Sequence, residues 1–436
     1  MNSSSQRIVI VGAGLAGLAC AQKLVEADFD VILLEARDRL GGRAYQHESS
    51  SYHPPLEFGA EYIHGAPSAL LKLLEQESFV DVNDEHLSLR QGRLRSHKDY
   101  WGLLEKVTAK LNPHPSKDRS IKEFLKKEGQ RLLPEKKELF AAYVEGFHAA
   151  DLNLIGEKSL ALSEKEEEGA LNGRFLFRLQ NGTSSIIEKI SARLEAKIKL
   201  QHRVKRIDWG PDKAEVIVQN NWQEVHFTAR HVVLTAPIGV LKSLHPESHI
   251  ELNPVIPEFT KALSTLHMGH VQKINFIFKK RFWETLSKEP VSFLHTGPEF
   301  YFPTWWTQSP VRSPVLVAWQ GGPKALEMSL WPEQKVIEMA FKTLSKISKR
   351  SMDFLKENLV AHHWHNWSED PFALGAYSYL GVQSSRSHWN KPFRDFLWLA
   401  GEGTAKNSQQ GTMHGAIESG WSAAKEIIKR EKPAAL

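Results

Sequence analysis

The chain has 436 residues, more than one ordinary core holds, so two domains or one large discontinuous pair are expected. Hydrophobic residues make up 41% and charged residues 25%, which are globular proportions, and no apolar run reaches the roughly 18 residues that a membrane helix needs. A net charge of +5, with Lys and Arg spread among acids, gives no basic stripe for nucleic acid, and Cys20, the single cysteine, excludes an internal disulfide. The polar start and the glycine-broken apolar run after it do not read as a signal-peptide core, so a cytoplasmic protein without nucleic-acid or membrane partners is expected.

In chain order, the β-branched run at 7–11 suggests a strand buried on both faces of a parallel sheet. Gly12-Ala13-Gly14-Leu15-Ala16-Gly17 follows, then an Ala/Leu-rich helix over 18–27 and a second strand over 29–34 that ends at Glu35. Gly12 permits the tight turn, Gly14 lets the backbone approach a pyrophosphate, and Gly17 lets the helix pack on the strand. The helix start, at Leu15 and Ala16, offers N–H groups and a positive dipole end to phosphates. Glu35 can accept the ribose hydroxyls. Strand, glycine turn, helix and acid in this order point to a dinucleotide on a Rossmann-type βαβ unit, without separating NAD from FAD.

The next residues separate them. Glu35-Ala36-Arg37-Asp38-Arg39-Leu40-Gly41-Gly42-Arg43 resembles the extension found in flavin-containing amine oxidases. The resemblance implies FAD, with Ala36, Arg37, Gly41, Gly42 and Arg43 against it, and an arginine fork suits pyrophosphate oxygens. Residues 56–65, LEFGAEYIHG, are similar to the segment under the flavin ring of polyamine oxidases. This implies Gly59, Ala60, Glu61 and Tyr62 at the cofactor, and His64 in the substrate pocket, placing a second amine. Residues 179–194 have helical spacing and are followed by strands at 198–200 and 202–207, again as in the family, which implies the Val204 backbone at the adenine end. Residues 231–237 read as a returning strand that ends at Pro237.

Read from its residues alone, Lys273 in the strand at 269–278 is a strand-end lysine reaching solvent. The family joins a lysine at this place to the flavin N5 through a water, so the resemblance makes Lys273 the catalytic candidate. In the matching block at 364–379 it places Trp367 beside the flavin and Tyr377 in an aromatic wall near the amine. The strand at 397–400 leads to Gly401 and Glu402. Residues 410–420 open the last helix, with Gly411, Thr412, Met413 and Ala416 expected at the cofactor. Thr412 also stands where monoamine oxidases place a second substrate-facing tyrosine. The aromatic run at 302–307, with Trp305, reads either as a tunnel lining or as core.

Two departures matter. Monoamine oxidases attach FAD through a cysteine where this chain has Ala376, so the FAD is expected to be noncovalent. L-amino acid oxidases clamp a carboxylate with an arginine where this chain has Glu61 and His64, so a carboxylate substrate is disfavoured.

The fold class expected is therefore α/β. A discontinuous Rossmann-type FAD domain takes 1–80, 180–250 and 395–436, and an α+β substrate domain takes 81–179 and 251–394. Helical stretches across 96–172 are broken at Pro113, Pro115 and Pro134. His362, His363 and His365 fall in a strand whose neighbours face opposite sides, so no metal is expected. The acidic run at 164–168 is a solvated face or a lip that attracts cations. The implied reaction is oxidation of a primary or secondary amine, polyamine or monoamine, to an imine that hydrolyses to an aldehyde, with oxygen reduced to hydrogen peroxide. An L-amino acid oxidase and a noncatalytic FAD-bearing protein are the alternatives. Monomer and dimer both remain open.

Overall fold

A computed structural model describes residues 7–432, apart from 48–51, 76–77, 83–84, 97–99, 170–174, 222, 289, 385–388 and 390. The side chains of 166–169 and 407 also lie outside the described set, so the later part of the acidic run does too.

Five parallel strands form the nucleotide-type sheet, in the order Leu397–Leu399, His231–Leu234, Ile8–Val11, Val31–Leu34, Ile198–Lys199. Side chains along a strand alternate between faces. Ile8, Ile10, Val31 and Leu33 pack beneath the helices Leu15–Glu26 and Met413–Glu431. Val9, Val11, Leu34 and Val232 face the second core, formed with the antiparallel strands His202–Trp209 and Ala214–Asn220. Both faces are covered, which is why the first strand is apolar without interruption. The last helix closes on the first at Gly420, where a Cβ would stand 2.1 Å from the Ala16 carbonyl oxygen.

A seven-stranded sheet carries the other half of the site, in the order Leu359–Trp364, Val271–Phe278, Val315–Gly321, Thr304–Thr307, Phe293–His295, His86–Arg90, Arg93–Ser96. All eight residues of Val271–Phe278 are buried. Ile274, Phe276 and Phe278 enter one core, while Val271 and Lys273 line the cavity on the opposite face. Lys273 is therefore not a strand-end lysine in solvent; it is 3% exposed. Between the two large sheets lies a small one of Tyr62–His64, Leu176–Leu179 and Phe79–Asp81.

Local differences from the sequence reading have local causes. Pro134 does not break a helix but starts one, Pro134–Gly146, where its missing N–H costs nothing. The strand expected to hold His362, His363 and His365 runs only over Leu359–Trp364, starting where the helix Met352–Asn358 ends, so His365 lies just beyond it. The strand at 198–200 stops at Lys199, since Gln201 takes a left-handed turn at φ 56°. Leu179 belongs to a strand, and the helix after it is Ser184–Ser191.

Candidate active site

A cavity of about 740 Å³ runs from the glycine turn to the seven-stranded sheet. Its first arm is walled by Gly12, Gly14, Leu15 and Ala16 of the first turn and by Glu35, Ala36 and Arg37 at the end of the second strand. Gly41, Gly42, Arg43, Val204 and Pro237 continue the wall. Gly401, Glu402, Gly411, Thr412, Met413 and Ala416 close it from the C-terminal segment. Segments more than 350 residues apart in sequence thus meet here.

The local chemistry fits a dinucleotide. The helix Leu15–Glu26 opens at Gly14 with no side chain capping it. A Cβ on Gly14 would meet nothing within 4 Å, so backbone faces the cavity directly. Gly12 has φ +103°, a conformation that L side chains rarely adopt. Gly17 does not line the cavity. A Cβ there would lie 1.9 Å from the Gly12 carbonyl oxygen, so its work is helix-to-strand packing. Glu35 is fixed by the N–H groups of Ala13, at 2.7 Å, and Arg37, at 2.8 Å. Burial pushes its carboxyl above the ordinary range against those hydrogen bonds. The arginines are braced by the protein: Arg37 bonds Asp370 at 2.7 Å, and Arg43 bonds Glu402 at 2.9 Å and the Ala376 carbonyl at 2.7 Å. Thr235, which the sequence reading missed, ties the turn by donating to the Val11 or Gly12 carbonyl, each 2.8 Å away.

The arms join at Gly59, Ala60 and Trp367, where the Trp367 indole donates to the Phe58 carbonyl at 2.9 Å. A Cβ on Gly59 would lie 1.8 Å from the Arg43 carbonyl oxygen. Lys273 reaches this junction and donates to the Gly59 carbonyl at 3.2 Å. Its other partner is Glu61, at 2.7 Å. Glu61, expected at the cofactor, lines the cavity and is also the centre of an ion cluster. Its second oxygen accepts from Arg178 Nε at 2.9 Å, and the Trp306 indole N–H reaches both oxygens at 3.2 Å. Burial alone would raise the Glu61 carboxyl, but Lys273 and Arg178 outweigh it and hold it at about 2. Tyr62, also on the cavity wall, accepts from Arg178 at 2.7 Å.

The second arm is aromatic. Tyr377 lines it and donates to the Phe147 carbonyl at 2.6 Å. His64 lies edge-on to Phe147, with ring centroids 5.3 Å apart. Beyond them, Trp101 and Tyr143 pack on Phe147, and Tyr100, His86 and Phe293 continue the lining. His414 also lines the cavity, and burial, with His64 nearby, pushes its imidazole down to about 4. The Thr412 hydroxyl caps the last helix by accepting from the Gly415 N–H at 3.0 Å and donating to the Gln409 carbonyl at 2.7 Å.

Trp305 corrects the sequence reading. It is fully buried in the core behind the seven-stranded sheet, and its indole donates to the Phe302 carbonyl at 2.8 Å. Strand alternation sends its neighbour Trp306 to the cavity instead. The three histidines also separate: His362 bonds Glu333, His363 meets Tyr52 and His365 bonds Asp370. Among the described residues no group of three His, Cys, Asp or Glu could hold a metal ion. Arg178, Phe147 and His414 were missed because nothing local marks them, whereas Trp306 lies in the aromatic run at 302–307, from which the sequence reading chose its neighbour.

Comparison with known proteins agrees with this geometry. The family model "Flavin containing amine oxidoreductase" matches residues 15–428. Polyamine oxidase 3 of Oryza sativa subsp. japonica is 28% identical, over 98% of this chain and 90% of its own length. Probable polyamine oxidase 4 of Arabidopsis thaliana is 27% identical, over 97% and 87%. Wild-type putrescine oxidase bound to putrescine shares the fold at a TM-score of 0.80 and 17% identity, with 98% of this chain and 99% of that one covered. Cyclohexylamine oxidase from Brevibacterium oxydans IH-35A does so at 0.78 and 16%, with 98% and 99% covered. With its dinucleotide cradle, buried lysine and aromatic arm, the chain belongs to the flavin-containing amine oxidoreductase family and is an FAD-dependent amine oxidase.

Proposed function

We propose that the protein oxidises the C–N bond of a primary or secondary amine, a polyamine or a monoamine, to an imine that hydrolyses to an aldehyde, with oxygen reduced to hydrogen peroxide. The observation that carries this reading is the buried Lys273 amine at the junction of the cofactor arm and the aromatic arm. Bound FAD supplies the acceptor for the two electrons and passes them to oxygen. The uncapped start of Leu15–Glu26 and the Gly14 backbone would hold its pyrophosphate, Glu35 the ribose, and Gly59 and Trp367 the flavin ring. Lys273 presents donor hydrogens at the junction and would hold a water there. Tyr377, Phe147 and Trp306 exclude bulk water and offer ring faces to the amine's carbon chain and its charged form. His64 and His414 stand on the same arm as acceptors for an amine N–H.

The geometry disfavours an amino-acid substrate. Arg178, the guanidinium of the ion cluster, already serves Glu61, Tyr62, Thr307 and Ser309. A substrate carboxylate would have to displace a buried carboxylate from it.

The test is anaerobic bleaching of the yellow protein by spermine, spermidine, putrescine, benzylamine, tyramine and several L-amino acids. Bleaching by an amine, reversed by air with release of peroxide, is expected. Bleaching by amino acids alone would move the protein to the other oxidase class.

A further inference from the structure

We propose that Glu61, braced by Arg178, is a positioning residue of this site, fixing both the direction and the charge environment of the Lys273 amine. The inference rests on the reading of Lys273 above and deepens it by assigning what governs that lysine.

The geometry is closed on every side. An ammonium has three donor hydrogens. Lys273 gives two of them to Glu61, at 2.7 Å, and to the Gly59 carbonyl, at 3.2 Å. Both acceptors belong to the segment that leads into Tyr62–His64 and lines the junction with Ala60, so the third hydrogen has a set direction. Glu61 has no slack either. Arg178 and the Trp306 indole hold it from the far side, and Arg178 is locked in turn by Tyr62 Oη and the carbonyls of Thr307 and Ser309. Lys273, Glu61 and Arg178 are each at most 7% exposed at the side chain.

The charge count explains why two cations share one anion. Lys273 with Glu61 alone would be a neutral pair. Arg178 occupies the second Glu61 oxygen and leaves these three groups with one net positive charge, which the neighbouring Glu57 offsets only as its carboxyl, pushed up to about 7 by burial, ionises. That charge stands at the junction where electrons leave for oxygen, and a fixed positive charge favours the negative charge that develops on oxygen there. The same cluster keeps Glu61 from serving as a partner for the substrate's ammonium.

The test times the two half-reactions separately on the FAD-loaded protein, for Glu61→Gln, Glu61→Asp, Lys273→Met and the double variant Glu61→Gln/Lys273→Met. The absorption spectrum of the bound flavin is recorded alongside, without turnover. Glu61→Gln makes the cluster more positive, which by charge alone would speed reoxidation. Loss of the set direction of the Lys273 amine is expected to outweigh that, slowing reoxidation by oxygen about tenfold or more, beyond any effect on reduction by amine, and shifting the flavin bands. Glu61→Asp, which keeps the charge, should recover part of both, and the double variant should be no slower than Lys273→Met alone. Equal losses in both half-reactions with an unmoved spectrum, or fully additive losses in the double variant, would overturn the proposal. If Glu61→Gln fails to fold, Glu61→Asp carries the test, with a slowing confined to reoxidation expected and equal slowing of both steps overturning it. If Lys273→Met slows reoxidation and the Glu61 variants do not, only the positioning role falls; if Lys273→Met leaves reoxidation unchanged, the reading of the lysine falls with it.

Discussion

Lys273, Glu61 and Arg178 show how a single substitution can act through charges left behind. Removing one member of a buried ion cluster strands its partners, at a cost of about 3–5 kcal/mol. Lys273→Met removes the cation and keeps Glu61 paired with Arg178, so the protein should remain folded. Turnover with oxygen should then fall by about 100-fold, the scale of one lost oriented donor. Steady-state peroxide release measures it, and unchanged turnover would take Lys273 out of the mechanism. Trp305 and Trp306 separate packing from chemistry in the same way. Trp305→Ala empties a fully buried core position and should cost about 3–5 kcal/mol in a denaturant titration. Trp306→Phe loses the indole bond to Glu61 and a wall of the cavity, so it should change kcat or KM with little loss of stability.

At the scale of elements, the packing of the first helix on its strand and on the last helix turns on glycines. Gly17 and Gly420 both sit where a Cβ would enter a neighbouring backbone, at 1.9 Å from Gly12 O and 2.1 Å from Ala16 O. Gly420→Ala must push apart Leu15–Glu26 and Met413–Glu431, whose N-terminal turns both reach the cofactor arm. It should lower the melting temperature by an amount equivalent to about 1–3 kcal/mol and weaken FAD retention on gel filtration. A melting curve and flavin content that match the wild type would show that the two helices tolerate the shift. The glycine fingerprint was legible because the strand, turn, helix and acid that give it meaning are contiguous. Gly420 was not, because its partner lies some 400 residues away.

For the molecule as a whole, acid and the cofactor are the two levers on stability. The Glu61 carboxyl is held at about 2 in the folded protein against an ordinary 4.5, so its pairing stabilises the fold above pH 4.5 and is lost as pH falls toward 2. The His414 imidazole is held at about 4 against an ordinary 6.5, so the fold loses stability as pH falls from 6.5 toward 4. Burial holds the Glu57 carboxyl up at about 7, which stabilises the fold as pH falls from 7 toward 4.5 and opposes the His414 loss, so thermal melts should fall steeply only toward pH 2. His414→Gln should melt higher relative to wild type near pH 5 than near pH 7, and an unchanged difference across that range would remove His414 as a contributor. Cys20 is buried in the first helix with its thiol pushed up to about 12 by burial, and Ala376 offers no sulfur at the aromatic wall. Denaturation followed by filtration should thus release all the flavin, whereas yellow colour retained on the unfolded chain would mean a covalent bond. Among the described residues no helix is long and apolar enough to cross a membrane. The sequence by itself determined the nucleotide unit and the order of the family's blocks, because a strand, a glycine turn and a helix end are local patterns whose physics needs only neighbours. Through the family resemblance it also singled out Lys273 as a candidate. Only the tertiary structure decided that this lysine is buried, that Glu61 faces it, that Arg178 is already committed and that Trp306 rather than Trp305 lines the cavity. Those outcomes depend on which face of a strand meets which core, and on charges brought together from strands remote in sequence.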